Sequence, residues 1–314
     1  MIFSLSSVQL ASFADVAYYF QHQPYALSVF ILILSLLIGS FLNVVILRYP
    51  IMLFRSWLID SKDLTENMPE HLLEHSALKD LESPYTLSKP ASHCPRCHSP
   101  VKAWQNIPII SYLVLKGKCS GCAEKGQETK ISIRYPLVEL TTGLLSVALL
   151  IKFPWSIQLA AMLVFTWYLV AMSMIDVDHQ ILPDTMTLSL MWLGLLLNID
   201  NTFVDLQSAV VGAMAGYLSL WSVYWLFKLA TGKDGMGFGD FKLLAALGAW
   251  FGWQFLPMII LLSSIVGAVV GIAGIMIMGR DKNIPIPFGP YLAAAGWIAA
   301  MWGNEIMEWY LPVV

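Results

Sequence analysis

Two acidic residues sit where an apolar run would exclude them. Asp176 closes the run Leu159 to Ile175, and Asp240 opens the run Leu243 to Trp250 behind Gly237-Phe238-Gly239. Ionisable groups at membrane-helix ends are cheap to explain singly, but two at one depth on different helices suggest function. Two close carboxylates share a proton, because both cannot ionise together. The ionised one takes a proton from water and the protonated one polarises a carbonyl, which is the chemistry of hydrolysis by an aspartate dyad. Gly237 and Gly239 let the backbone approach a neighbour closely, although Gly-x-Gly-Asp alone reads equally as a turn. No Gly-x-Ser-x-Gly or His-Glu-x-x-His offers competing chemistry. Asp178, Asp184 and His179 read as solvated loop residues.

The four cysteines form a second constellation, Cys94-Pro-Arg-Cys97 and Cys119-Ser-Gly-Cys122, with 21 residues between the pairs. That is the spacing of a tetrahedral four-thiolate site, with zinc the expected metal and iron the alternative. Two disulfides are the competing reading, disfavoured for a cytoplasmic loop. Four thiolates leave no open position, so a metal here would be structural and would stabilise a loop with little core of its own.

These groups must be positioned by membrane helices. Of the 314 residues, 57% are hydrophobic and 12% charged, against about 25% charged in soluble domains. The expected class is an all-α polytopic membrane protein embedded in a lipid bilayer. Spans are predicted over 26–47, 135–152, 156–175, 186–199, 207–228, 241–255, 257–278 and 287–304. Residues 243–278 would extend about 54 Å as one helix, too long for one crossing, and Gly252 to Pro257 supply the break. No positive start precedes the first apolar run, so it is expected to stay in the mature chain.

Twelve of the 18 Lys and Arg lie between Arg48 and Arg134. The remaining short loops place Lys228, Lys233, Arg280 and Lys282 on the same side. By the positive-inside rule that side is the cytoplasm and the N-terminus is outside. Both dyad acids then face the cytoplasmic boundary. The domains expected are 1–47, the outside N-terminus and first transmembrane helix; 48–134, a cytoplasmic zinc-ribbon-like loop domain; and 135–314, a seven-helix membrane core. Residues 51–92, with Leu72, Leu73, Leu78 and Leu81, read as a polar, partly helical insert. No basic stripe points to nucleic acid. Glu139 falls inside the second span, where an acid is costly, while Asn43 and Arg48 lie at the inward end of the first. Their simplest roles are interhelical hydrogen bonding for Asn43 and snorkelling for Arg48.

Together these motifs resemble the type IV prepilin peptidase family, the bifunctional leader peptidases and N-methyltransferases of pilus and type II secretion systems. The resemblance rests on Gly39-Ser40-Phe41-Leu42-Asn43 through Arg48, the cysteine pairs around Asn106-Ile107-Pro108, and Ile133-Arg134-Tyr135-Pro136 through Glu139. It rests also on Asp176 through Pro183-Asp184, and on Gly237 to Lys242. It implies cleavage of the basic leader of type IV prepilins and type II secretion pseudopilins at the cytoplasmic face of the inner membrane. It implies Asp176 and Asp240 as the catalytic pair and Cys94, Cys97, Cys119 and Cys122 as metal ligands. It further implies N-methylation of the new N-terminus with S-adenosyl-L-methionine, for which Asn43, Arg48 and Glu139 are the candidate residues, for methyl transfer or substrate docking. The stretch Ala123 to Lys130 looks longer than the family's usual link. The alternatives are a presenilin-like intramembrane peptidase, which also uses Gly-x-Gly-Asp, and a non-enzymatic cation or proton transporter.

Overall fold

The computed structural model describes residues 13–60, 84–94, 96–126, 129–278 and 286–310. Among them regular structure is helical, and the only β pairing is two isolated bridges, His93 with Pro100 and Lys118 with Lys130. Leu72, Leu73, Leu78, Leu81, Arg280 and Lys282 lie outside the described residues.

Helix α1 (Phe13–His22) leads into α2 (Pro24–Asp60). Two short helices, α3 (Ile110–Val114) and α4 (Ser120–Glu124), belong to the cysteine loop. Then follow α5 (Arg134–Ala148), α6 (Ile157–His179), α7 (Asp184–Asn198), α8 (Leu206–Thr231), α9 (Phe238–Phe251), α10 (Leu256–Met278) and α11 (Gly289–Tyr310). Five segments are long and apolar enough to cross a membrane: Pro24–Asp60, Arg134–Ile151, Ile157–His179, Leu206–Thr231 and Trp253–Gly274. The chain is therefore an all-α, multi-pass membrane protein. Helices also stand at the other three expected ranges, as α7, α9 and α11. At about 22 and 21 Å, α7 and α9 are shorter than a bilayer's apolar core.

The first helix does not stop at Leu47 but continues to Asp60. Ile51, Phe54 and Leu58 repeat at helical spacing and bury against Tyr85 and Ile181, so packing carries the helix past Pro50. Arg48 does not snorkel. It is 7% exposed, its guanidinium donates to Thr86 O at 3.0 Å, and both it and the equally buried Arg55 approach the Tyr85 ring.

At the centre lies α9, buried from Asp240 to Phe251 except at Lys242. A helix apolar on every side must be enclosed, and α9 is enclosed by α7, α8 and α11. The α8–α9 crossing is close because a Cβ on Gly212 would stand 2.3 Å from Gly248 O. On the other side Asn198 of α7 donates to Ala249 O and Trp250 O, while Trp250 Nε1 donates to Leu190 O at 2.8 Å. These bonds satisfy buried polar groups that would otherwise be costly and fix the depth of α9. Phe165 of α6 packs on Trp250 at 4.8 Å between ring centres. In the other half α2 lies against α5, with a Cβ on Gly39 only 2.8 Å from Glu139 Cα.

Candidate active site

Asp176 belongs to the last turn of α6. Gln180, at φ 54°, turns the chain left-handed and donates its N–H to Asp176 O at 2.8 Å, which ends the helix. Pro183 then caps α7. The side chain of Asp176 is 5% exposed, and its Oδ2 accepts the Gly289 N–H at 2.9 Å. That N–H opens α11, so a helix N-terminus is aimed at the carboxylate.

Asp240 is the third residue of α9, where the helix dipole favours an acid. The dipole does not explain its burial. Asp240 is 7% exposed, and its Oδ1 is buried without a hydrogen-bond partner among the described residues. An unsatisfied buried carboxylate oxygen is expensive and rare. It lies within electrostatic reach of Asp176.

The second glycine of the motif brings the two acids together. A Cβ on Gly239 would lie 2.7 Å from Leu182 Cβ and 3.2 Å from Leu182 O, so α9 packs directly on the turn that follows Asp176. Leu182 Cδ1 in turn lies 3.1 Å from a Cβ on Gly289. Gly237 differs: its φ is −79° and its Cβ would meet only Asp240 Oδ2, at 3.7 Å. Gly239→Ala is therefore expected to destabilise the chain by about 1–3 kcal/mol through overpacking. Gly237→Ala should cost less than about 1 kcal/mol. Melting of the two variants in detergent tests this, and equal shifts would contradict the packing argument.

The neighbouring acids are exposed, as expected, but they lie in helices and are ion-paired. Asp178 accepts both terminal nitrogens of Arg134, at 2.5 and 2.6 Å, and Arg134 also donates to Met174 O. Asp184 pairs with Lys242 at 2.6 Å. His179 packs its ring against Phe54, 6.0 Å between centres, and the Tyr49 hydroxyl is hydrogen-bonded to Thr185 Oγ1. The end of α2 is thereby attached to the same turn. Ahead of Gly237, Tyr224 donates to Asp234 Oδ1 at 2.6 Å and stacks on Phe238 and Phe241.

Away from the acids, the four cysteine sulfurs converge within 4.8 Å of one another. Cys94 and Cys122 are 3.7 Å apart and Cys97 and Cys119 are 3.9 Å apart. A disulfide requires about 2.05 Å, whereas the edge of a tetrahedron with 2.3 Å metal–sulfur bonds is about 3.8 Å. The cluster thus has the dimensions to hold a metal ion. Each pair sits on a backbone knuckle: Cys94 N–H donates to Ser99 O, and Cys119 N–H to Thr129 O. Hydrogen bonds from the Ser99 side chain and backbone draw the Cys97 thiol down to about 6, while burial and its cysteine neighbours push Cys122 up to about 11, so the four thiols titrate as one cluster.

Asn43, Arg48 and Glu139 of the first two spans are spent on internal bonds. Asn43 Nδ2 donates to Tyr135 O at 3.1 Å, an interhelical bond. Glu139 is buried, and its Oε2 accepts Ile109 N–H at 2.8 Å. Ile109 stands at φ 60°, a strained setting for a β-branched residue. Ser40 Oγ donates to Asn106 O nearby. These contacts dock the cysteine loop onto α2 and α5. Sequence reasoning missed Gly289, Leu182 and the roles of Arg134 and Lys242. Only Gly289 carried a signal, as the break Pro287-Phe288-Gly289-Pro290 before an apolar run.

Residues 33–153 match the bacterial peptidase A24 N-terminal domain, and residues 163–272 match the type IV leader peptidase family. A relative from Stutzerimonas stutzeri is 53% identical over 92% of this chain and 95% of its own length. One from Pseudomonas aeruginosa is 50% identical over 93% and 96%. One from Neisseria gonorrhoeae is 48% identical over 89% and 93%. Each carries the name prepilin leader peptidase/N-methyltransferase. No solved structure matches the chain.

Proposed function

The chain belongs to the type IV leader peptidase family, and on that footing we propose that it removes the leader of type IV prepilins and pseudopilins through Asp176 and Asp240, then N-methylates the product. The observation that carries the reading is the buried carboxylate pair, with Asp240 Oδ1 left unpartnered where every neighbouring acid is ion-paired. The Gly289 N–H fixes one oxygen of Asp176, and Asp240 Oδ1 has no partner among the described residues that would compete with a catalytic water. One carboxylate accepts a proton from that water as its oxygen adds to the scissile carbonyl, and the other gives a proton to the carbonyl oxygen. Collapse of the tetrahedral adduct returns a proton to the leaving amine.

The ion bound by Cys94, Cys97, Cys119 and Cys122 is zinc in this reading, supported by the sulfur spacing. Held by these four thiolates, it would supply a cross-link between the two knuckles, with no open position left for hydrolysis. S-adenosyl-L-methionine is the methyl donor, supported by the second half of the relatives' name. Asn43, Arg48 and Glu139 are already bonded to the chain's own carbonyls and amide, so no step of methyl transfer is derived through them. The active site faces the cytoplasm of the inner membrane, as the basic short loops indicate.

The test is to incubate the purified protein with a prepilin and labelled S-adenosyl-L-methionine and to sequence the product N-terminus. The expected product is shortened at its N-terminus and labelled there. A cut within the apolar segment would favour a presenilin-like peptidase instead. Ion flux from reconstituted protein with no cleavage would favour a transporter.

A further inference from the structure

We propose that Lys242 and Asp184 are a positioning pair that sets the separation of the two reacting carboxylates. The inference rests on the peptidase reading above. Each partner lies on one of the two segments that carry the acids. Asp184 opens α7, directly after the turn that leaves Asp176, and Lys242 follows Asp240 by two residues in α9. Residues two apart on a helix point about 200° apart. Lys242 therefore reaches away from the carboxylate beside it and across to the other segment, where Nζ meets Asp184 Oδ1 at 2.6 Å.

Three features argue that this bridge is not an incidental surface pair. Lys242 is the only basic residue of α9, whose only other charged residue is Asp240 and which is buried from Leu243 onward. It stands near the helix N-terminus, where the dipole gives a cation no favour. The packing beneath it is also one-sided. Gly239 allows α9 to approach Leu182 but has no side chain to hold the first turn there, and the Asn198 and Trp250 bonds that anchor α9 to α7 lie at its far end. The bridge supplies that hold, from the start of α9 to the start of α7. Asp184 is mostly exposed, so the pair adds little to global stability. Geometry in a proton-sharing site is far more sensitive, since a shift of about 1 Å can cost about 100-fold in rate.

The experiment measures kcat and KM for leader cleavage alongside thermal melting in detergent. Lys242→Met and Asp184→Asn should each lower kcat by about 10- to 100-fold, with KM and melting temperature nearly unchanged. Lys242→Arg should recover most of the rate, and so should the exchange of Lys242→Asp with Asp184→Lys. If Lys242→Met cleaves at the wild-type kcat, the pair is not a positioning device. The same follows if its loss tracks a fall in melting temperature and neither Arg nor the exchange restores it. Wild-type protein that cuts no prepilin would overturn the peptidase reading itself, whereas active wild type with unaffected variants overturns the pair alone.

Discussion

Asparagine at position 176 or 240 is expected to reduce leader cleavage by about 10⁴-fold, in a chain that still folds. General acid–base catalysis contributes about 10²–10⁴-fold for each group, and here one proton serves both. Removing either acid removes the shared proton, so the two losses should not add. Asp176→Asn combined with Asp240→Asn should be no slower than the slower single variant, as expected for residues that act as a unit. Stability should move the other way or not at all. Asp240 Oδ1 is buried and unpartnered, and exchanging a buried acid for a neutral amide of the same shape lessens the desolvation cost. Asp176→Asn keeps a carbonyl oxygen able to accept the Gly289 N–H. The measurement is single-turnover prepilin cleavage in membranes, with melting of each variant beside it. Full processing by either variant would remove that acid from the reaction. Multiplying losses would mean that the acids act separately.

Much of this arrangement was legible in the sequence because membrane chains make charge conspicuous. Asp176 and Asp240 stood out against apolar runs, and the structure places them together in one buried site. The cysteine pairs were legible through spacing alone, which their converging sulfurs bear out. The all-helical, multi-pass fold was legible from the apolar runs. What stayed hidden depended on contacts between distant segments. Gly289 lies 113 residues from Asp176, and only the folded chain shows that α11 begins at that carboxylate. The ion pairs of Asp178 and Asp184 stayed hidden because their partners, Arg134 and Lys242, are 44 and 58 residues away. The extension of α2 was missed for a different reason. The predicted span ended at 47 and Arg48 read as an interface residue, although Ile51, Phe54 and Leu58 already carried a helical period. Tertiary burial of both arginines overrode the local cues.

Stripping the metal is expected to produce the second large effect, on the loop rather than on the chemistry of the acids. A structural four-thiolate zinc site contributes about 10–16 kcal/mol of apparent binding free energy at neutral pH, and beyond the two knuckles this loop has little to replace it. Among the described residues of 84–133, the buried apolar side chains are Cys97, Pro108 and Cys122. The knuckles meet through few other bonds, among them Gln105 Nε2 to Ser120 Oγ at 3.0 Å and Lys125 Nζ to Cys97 O at 3.0 Å. Replacing Cys97 and Cys119 with serine should therefore lower the metal content from about one per chain to near zero. It should also expose the loop to limited proteolysis. Docking then fails in order. Ile109, held at φ 60° by the Glu139 carboxylate, has no reason to keep that strained backbone once the loop loosens. The damage should fade toward the acids. Arg134 opens α5 and is anchored to Asp178 and to Met174 O without help from the cysteines. The expected outcome is a chain whose membrane helices melt near the wild-type temperature and whose loop is cut rapidly by protease. Cleavage of prepilin should fall far less than in Asp176→Asn. Metal-free protein with a loop as protease-resistant as the wild type would show that the cysteines do not hold it. A loss of cleavage as deep as that of the asparagine variants would show that the loop takes part in the reaction itself.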